Sequence, residues 1–171
     1  MKRFGLAAFA LVVAAPAAAQ TAQPAAAALS RQAEVRAIGL AIDAVYAVIS
    51  GPPGQKRDWA RMRTLFTPEA RLTAIGAKGP VGGTVEDYIA KSGPLLTKSG
   101  FTERELARRV EIYGNLAHAW SSYEGTGDKI RVRGINSFQL VKRDGRWLVQ
   151  SILWQAENAA TPLPADMLGS R

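Results

Sequence analysis

His118 is the only histidine in the chain. It stands in the run Tyr113-Gly114-Asn115-Leu116-Ala117-His118-Ala119-Trp120-Ser121-Ser122-Tyr123-Glu124, among aromatic and hydroxyl side chains. An imidazole, with an ordinary pKa of about 6.5, can give a proton, take one or bind a metal, so His118 is the best candidate for a catalytic residue. In a strand it shares a face with Trp120, Ser122 and Glu124. The plainer alternative, a histidine that makes one hydrogen bond and packs against a ring, is favoured, because a titratable group in an apolar setting marks function only statistically.

Several reaction classes lack the residues they need. A transition-metal site would have to be built from one histidine, no cysteine and converging carboxylates, and neither His-x-x-x-His nor Cys-x-x-Cys spacing occurs. No metal or cofactor is therefore expected. No serine lies in a Gly-x-Ser-x-Gly elbow, and the Gly-rich stretch Gly76 to Gly83 lacks the Lys-Ser/Thr ending of a phosphate-binding loop. Isomerase-type chemistry needs a carboxylate base in a cavity, its pKa raised by apolar walls, and a donor for the enolate oxygen. Asp43 falls toward the polar side of its helix and Asp58 suits a cap. Glu103, Glu105 and Glu111 share one parity of their strand and could reach cavity or solvent alike. No matched acid–base pair emerges.

An apolar pocket with a few placed polar groups is the more economical expectation. Tyr46, Trp59, Phe66, His118, Trp120, Asn136 and Trp154 are its candidate lining, with Asn136 and Gln155 the most telling if buried, because an amide in an apolar wall needs partners. The aromatic members of that set equally suit an ordinary core.

The elements that must position these residues follow from spacing. Val35, Ile38, Ile42, Val45 and Ile49 form one helical stripe, with Ser30 as N-cap, and Gly51-Pro52-Pro53-Gly54 stops the helix. Asp58 caps a short helix carrying Trp59, Met62, Leu65 and Phe66 on one side, ended by Thr67-Pro68. A strand from Ala70 to Ile75 and the Gly-rich turn come next. Thr84 and Asp87 then make a capping box for a third helix, broken or kinked at Gly93-Pro94. Strands follow at about Phe101 to Ile112, Leu116 to Glu124, Ile130 to Lys142 and Arg146 to Gln155. They are joined by Gly, Asn and Asp turns of the hairpin kind. In the last strand Trp147, Val149, Ser151 and Leu153 alternate with Leu148, Gln150, Ile152 and Trp154, so both faces read as largely apolar. Helices are expected to cover one face and a second copy of the chain the other.

Met1-Lys2-Arg3, the twelve apolar residues Phe4 to Ala15, and Ala17-Ala18-Ala19 have the three regions of a cleaved secretory leader, with cleavage near Ala19. The apolar run is shorter than the roughly 20 residues of a spanning helix, so no stable membrane anchor is expected and the protein should be periplasmic or secreted. Without cysteine it has neither a disulfide nor a thiol for a lipid anchor. Residues 20–30 read as an Ala/Gln/Pro-rich flexible tether, 31–157 as one domain and 158–171 as a C-terminal tail. The net charge is +8, from 22 Lys and Arg against 14 Asp and Glu; removing Lys2 and Arg3 leaves 20 against 14, or +6. That charge is spread along the elements and not gathered on one face, so no nucleic-acid partner is expected.

A helical first half followed by long strands, with Asp144-Gly145-Arg146-Trp147-Leu148-Val149 near the end, resembles the nuclear transport factor 2-like superfamily, and more particularly its exported bacterial, polyketide cyclase-like members. Ser50-Gly51-Pro52, Asp58-Trp59, Leu65-Phe66, Arg108-Arg109-Val110-Glu111, Gly114-Asn115-Leu116-Ala117-His118, Ser121-Ser122-Tyr123-Glu124 and Asn136-Ser137-Phe138-Gln139 carry the likeness over about Arg31 to Gln155. It implies an α+β fold: a cone-shaped barrel of N-terminal helices packed on a curved, mainly antiparallel sheet, with an apolar pocket at the wide end and a homodimer through the sheet's outer face. It implies no reaction, since function belongs to the site and not to the fold. The leading expectation is an exported pocket protein that binds a small hydrophobic or aromatic molecule without catalysis. The alternatives are an isomerase, cyclase or dehydratase using His118 with a carboxylate, and an envelope protein interaction module.

Overall fold

The computed structural model describes residues 18–128 and 130–169. The expected leader lies, but for its last two residues, outside them. The chain divides into two compact units, residues 1–33 and 34–171. Helix α1 (Ala18–Ile49) runs through the boundary, and residues 20–30 have helical backbone. The stretch is rich in alanine, the residue with the highest intrinsic helix propensity, and that outweighs the lack of an apolar period.

The second unit holds the fold. After α1 come α2 (Trp59–Leu65), β1 (Phe66–Gly76), β2 (Gly79–Gly83), α3 (Val85–Ser99), β3 (Thr102–Tyr113), β4 (Leu116–Thr126), β5 (Arg131–Arg143) and β6 (Arg146–Ala156), then a single 3₁₀ turn (Ala165–Met167). The strands form one sheet in the order β2-β1-β6-β5-β4-β3, antiparallel except where β1 runs parallel to β6. It is curved and unclosed, with the helices packed on it: an α+β cone. The Gly-rich stretch after β1 is itself a strand, β2, paired with β1 from Leu72↔Gly83 to Gly76↔Gly79.

Local chemistry sets these boundaries. Asp58 accepts the Arg61 amide at 2.8 Å and caps α2. Thr84 and Asp87 form the expected capping box, and α3 continues past Pro94 to Ser99. At the β5–β6 hairpin Asp144 and Gly145 both adopt positive φ, 50° and 75°, as a tight antiparallel turn requires. The α1 stripe is buried as its spacing predicts, with Ile38 and Ile42 fully enclosed; each such side chain contributes about 2 kcal/mol relative to exposure.

Two extra residues decide which side chains face the helices. In β3, Glu105 pairs with Tyr123 and Ala107 with Ser122, so Leu106 is an unpaired insertion. In β6, Val149 pairs with Leu140 and Ser151 with Gln139, which leaves Gln150 extra. Each bulge flips the alternation beyond it. Trp147, Val149, Ile152 and Trp154 therefore share the inner face, while Ser151 and Leu153 turn outward. The expectation that both faces of β6 are apolar carries one alternation through Gln150, and the bulge there overturns it. The outer face is also partly covered from within the chain: Leu163 and Met167 are buried, and the Met167 carbonyl accepts from Ser122 Oγ at 2.6 Å.

Candidate functional site

Between the helices and the inner sheet face lies a cavity of about 480 Å³, within the range of small-molecule sites. Its walls are apolar and aromatic, among them Phe101, Tyr88, Tyr123, Phe138 and Trp154, and the exposed side chains of Leu95 and Ile130 stand at its mouth. Among the described residues, the one carboxylic acid in the wall is Glu103.

Glu103 reaches the cavity because β3 is pinned to the end of α1. Phe101 and Gly51 exchange backbone hydrogen bonds of 3.0 and 2.7 Å, and the Glu103 amide donates to Ser50 Oγ at 2.9 Å. The loop that makes this junction is held by Arg57. It is buried and donates to the carbonyls of Ile49, Gly51, Gln55 and Leu96, so a guanidinium fork satisfies backbone groups that the helix end leaves open.

The Glu103 carboxylate accepts one hydrogen bond, from Asn136 Nδ2 at 3.1 Å. Burial pushes its pKa from 4.5 up to about 7, against the smaller opposing effect of the Asn136 bond. The second hydrogen of Asn136 Nδ2 goes to the Tyr46 hydroxyl at 3.0 Å. Tyr46 lies 2.7 Å from Ser121 Oγ, which donates to Glu105. Because the one Ser121 hydrogen is committed there, Tyr46 is the donor to Ser121. Glu105 is paired with Arg108, which also binds Asp43 on α1 and lies over Gly39, where a side chain would collide with it. A continuous polar chain thus runs from the cavity to the surface, orienting Asn136 and Tyr46. Burial raises the hydroxyl pKa of Tyr46 and Tyr88, and that of Tyr123 to about 12, with the Glu103 charge adding to each shift.

Of the residues expected from sequence, Tyr46, Asn136 and Trp154 line this cavity. Trp59 packs half-buried against the core, beside Gly93 of α3, and Phe66 is buried in the core; neither is in the cavity wall. His118 and Trp120 are on the outer sheet face, because their inner neighbours Ala117, Ala119, Ser121 and Tyr123 alternate with them. His118 Nε2 lies 3.2 Å from Ser137 Oγ and its ring packs edge-on against Trp120 at 5.9 Å. Its hydrogen-bond partner is a hydroxyl and not a carboxylate. Trp120 instead lines a separate outer pocket of about 370 Å³ with Ser137, Leu153, Gln155 and the segment from Thr161 to Pro164.

Sequence reasoning left Glu103 undecided and did not single out Tyr88 or Tyr123. The bulge at Leu106 is the reason for the first: it turns Glu103 and Glu105 inward and Glu111 outward, although all three share sequence parity. Among the described residues no group of three or more His, Cys, Asp or Glu is placed to share a metal ion, and no helix is long and apolar enough to cross a membrane.

No family model matches the sequence, and no curated protein matches it. Solved structures do match in fold. A nuclear transport factor 2-like protein of unknown function from Shewanella baltica is 19% identical, with a TM-score of 0.54 over 74% of this chain and 95% of its own. A hexachlorocyclohexane dehydrochlorinase, LinA-type3 from Novosphingobium barchaimii, is 15% identical, with a TM-score of 0.62 over 80% of this chain and 97% of its own. The Kfla4162 protein of Kribbella flavida is 12% identical, with a TM-score of 0.63 over 75% and 93%. With its helices on a curved six-stranded sheet and these structural relatives, the chain has the nuclear transport factor 2-like fold.

Proposed function

We propose that the protein binds a small, largely apolar or aromatic molecule in the 480 Å³ cavity, with the polar group of that molecule held against Glu103 and Asn136. The observation that carries this reading is a half-buried carboxylate at an aromatic wall that, among the described residues, accepts one hydrogen bond. A carboxylate in an aromatic wall, away from any counter-charge, is costly to ionise, and such perturbed groups in a cavity cluster at functional sites. A dehydrochlorinase named for a small chlorinated hydrocarbon shares the fold, which supports an apolar occupant of this kind. Native mass spectrometry of protein purified from its own host tests the proposal: a retained small molecule, lost on Phe138→Trp filling of the cavity, is the expected result. A cavity that takes up no apolar probe and fills with its own side chains would overturn it.

A second reading, that Glu103 also moves a proton on the bound molecule, is favoured by its pKa of about 7, which lets it serve as acid or base near neutrality. In this reading the acid–base role expected of His118 passes to Glu103. Turnover lost in Glu103→Gln with ligand affinity kept would support it; turnover unchanged would refute it.

Export rests on the leader pattern, and fractionation of cells expressing the full chain tests it. Self-association through the outer face is proposed for the strip left beside the C-terminal segment, where Leu116 and Leu153 are exposed. A dimer mass by light scattering, lost on Leu153→Lys, is expected; a monomer at all concentrations refutes it.

A further inference from the structure

We infer that the cavity is selective for a hydrophobic amine, bound as its ammonium ion with the charged nitrogen between the Glu103 carboxylate and the surrounding aromatic rings; this rests on the cavity being a ligand site. Among the described residues no Lys, Arg or His lines the cavity. Arg108, a cation on the inner side of β3, is taken up by Glu105 and Asp43. Glu103 is thus a half-buried acid without a counter-charge among the described residues, and a cationic ligand would supply one.

The hydrogen-bond inventory points the same way. Both Asn136 Nδ2 hydrogens are spent, on Tyr46 and Glu103, so Asn136 offers the ligand only its Oδ1 acceptor. Tyr46 has given its hydrogen to Ser121. The second Glu103 oxygen has no donor among the described residues. Around Asn136 and Glu103 the wall therefore presents acceptors, which suits an ammonium with its several N–H donors. The aromatic wall adds the negative ring faces that attract cations. An anionic ligand would meet Glu103 with no compensating cation among the described residues of the wall, and a neutral carbonyl would have the Ser92, Tyr88 and Tyr123 hydroxyls and a protonated Glu103 as donors, away from the acceptors of Asn136 and Tyr46.

The groups facing Glu103 are Tyr46 from α1, Tyr88 from α3, Tyr123 from β4, Asn136 from β5 and, on its own strand, Glu105. None of them is cationic. An ammonium bound there lowers the Glu103 pKa and releases a proton below about pH 7, whereas a neutral acceptor binds the protonated acid and takes one up.

Three probes of one shape separate these outcomes by calorimetry on the full chain: naphthylethylamine, naphthylethanol and naphthylacetate. At about pH 8 the amine is expected to bind about tenfold or more tightly than the alcohol, with naphthylacetate weakest, and the preference should vanish near about pH 5 as Glu103 protonates. Glu103→Gln should abolish both the preference and its pH dependence while keeping alcohol binding. Alcohol equal to or tighter than amine at about pH 8 would overturn the inference and leave the pocket reading standing. If none of the three probes binds, both fall. The wild-type pH series alone decides the matter should the variant fail to fold.

Discussion

Glu103 makes the stability of the empty protein depend on pH in a direction opposite to that of most carboxylates. Its pKa rises from 4.5 to about 7 on folding, because burial disfavours the charged form. Between those values the native state holds a proton that the unfolded chain has lost, so stability falls as pH rises through this window. Below about pH 4.5 the contribution is fully present; above about pH 7 it is gone. At about 1.4 kcal/mol per pH unit of difference, the loss is on the order of 3 kcal/mol, a sizeable part of the total stability of a domain. Glu103→Gln keeps the shape and the polar contact of the protonated acid while removing the titration. Urea unfolding of both proteins between about pH 5 and about pH 8.5 reads the effect. Near the acid end the two should agree to within about 1 kcal/mol; at the alkaline end the variant should be the more stable by on the order of 2–3 kcal/mol. A stability difference that does not change with pH, or a variant less stable at the alkaline end, would show that Glu103 is either solvated or paired, and would refute the reasoning.

Arg57→Ala should destabilise the domain by about 2–4 kcal/mol, since four backbone carbonyls at the α1 end and on α3 lose a charged donor; chemical denaturation measures it, and a neutral result would mean that water replaces the guanidinium. Tyr46→Phe should cost about 1–2 kcal/mol, because Asn136 and Ser121 lose their buried common partner, and calorimetric unfolding checks it. Met167→Asp should release the C-terminal segment from the sheet, since Met167 is fully enclosed; hydrogen exchange over residues 158–169 should rise while the inner strands keep their protection. In acid the remaining carboxylates take over: Glu34, Glu86, Asp87, Glu124 and Glu157 are all held below the ordinary range by hydrogen bonds, mostly from Lys, Arg or Trp side chains. Their contribution is present above about pH 4.5 and lost as pH falls, so a circular-dichroism series should find greatest stability in mildly acidic buffer.

Much of the fold could be read from local chemistry. The α1 stripe, the Asp58 cap, the Thr84–Asp87 box and the Asp144-Gly145 turn are short-range signals, and each appears where the residues put it. The candidate site was less legible because it depends on which face a strand presents. Alternation has a period of two and carries no marker for one extra residue. Carried unbroken through Leu106 it leaves Glu103 undetermined, and carried through Gln150 it scatters Trp154 and Trp147 onto opposite faces, where the structure sets them on the same one. Asn136 was singled out for being an amide among apolar neighbours and does line the cavity, whereas His118 drew attention through its rarity and points the other way.

The insertion at Leu106 has a meaning for how such a site survives changes in chain length. Glu105 already opposes Tyr123 and Ala107 already opposes Ser122, so losing Leu106 alone would make the pairing regular and leave Glu103 and Glu105 facing inward and Arg104 outward. A single-codon deletion at this position would therefore change the length of the strand without changing which face the pocket's carboxylate takes. Among chains of this architecture, counting residues along β3 is thus a poor guide to what the pocket accepts, and the cross-strand partner of each residue is the better one.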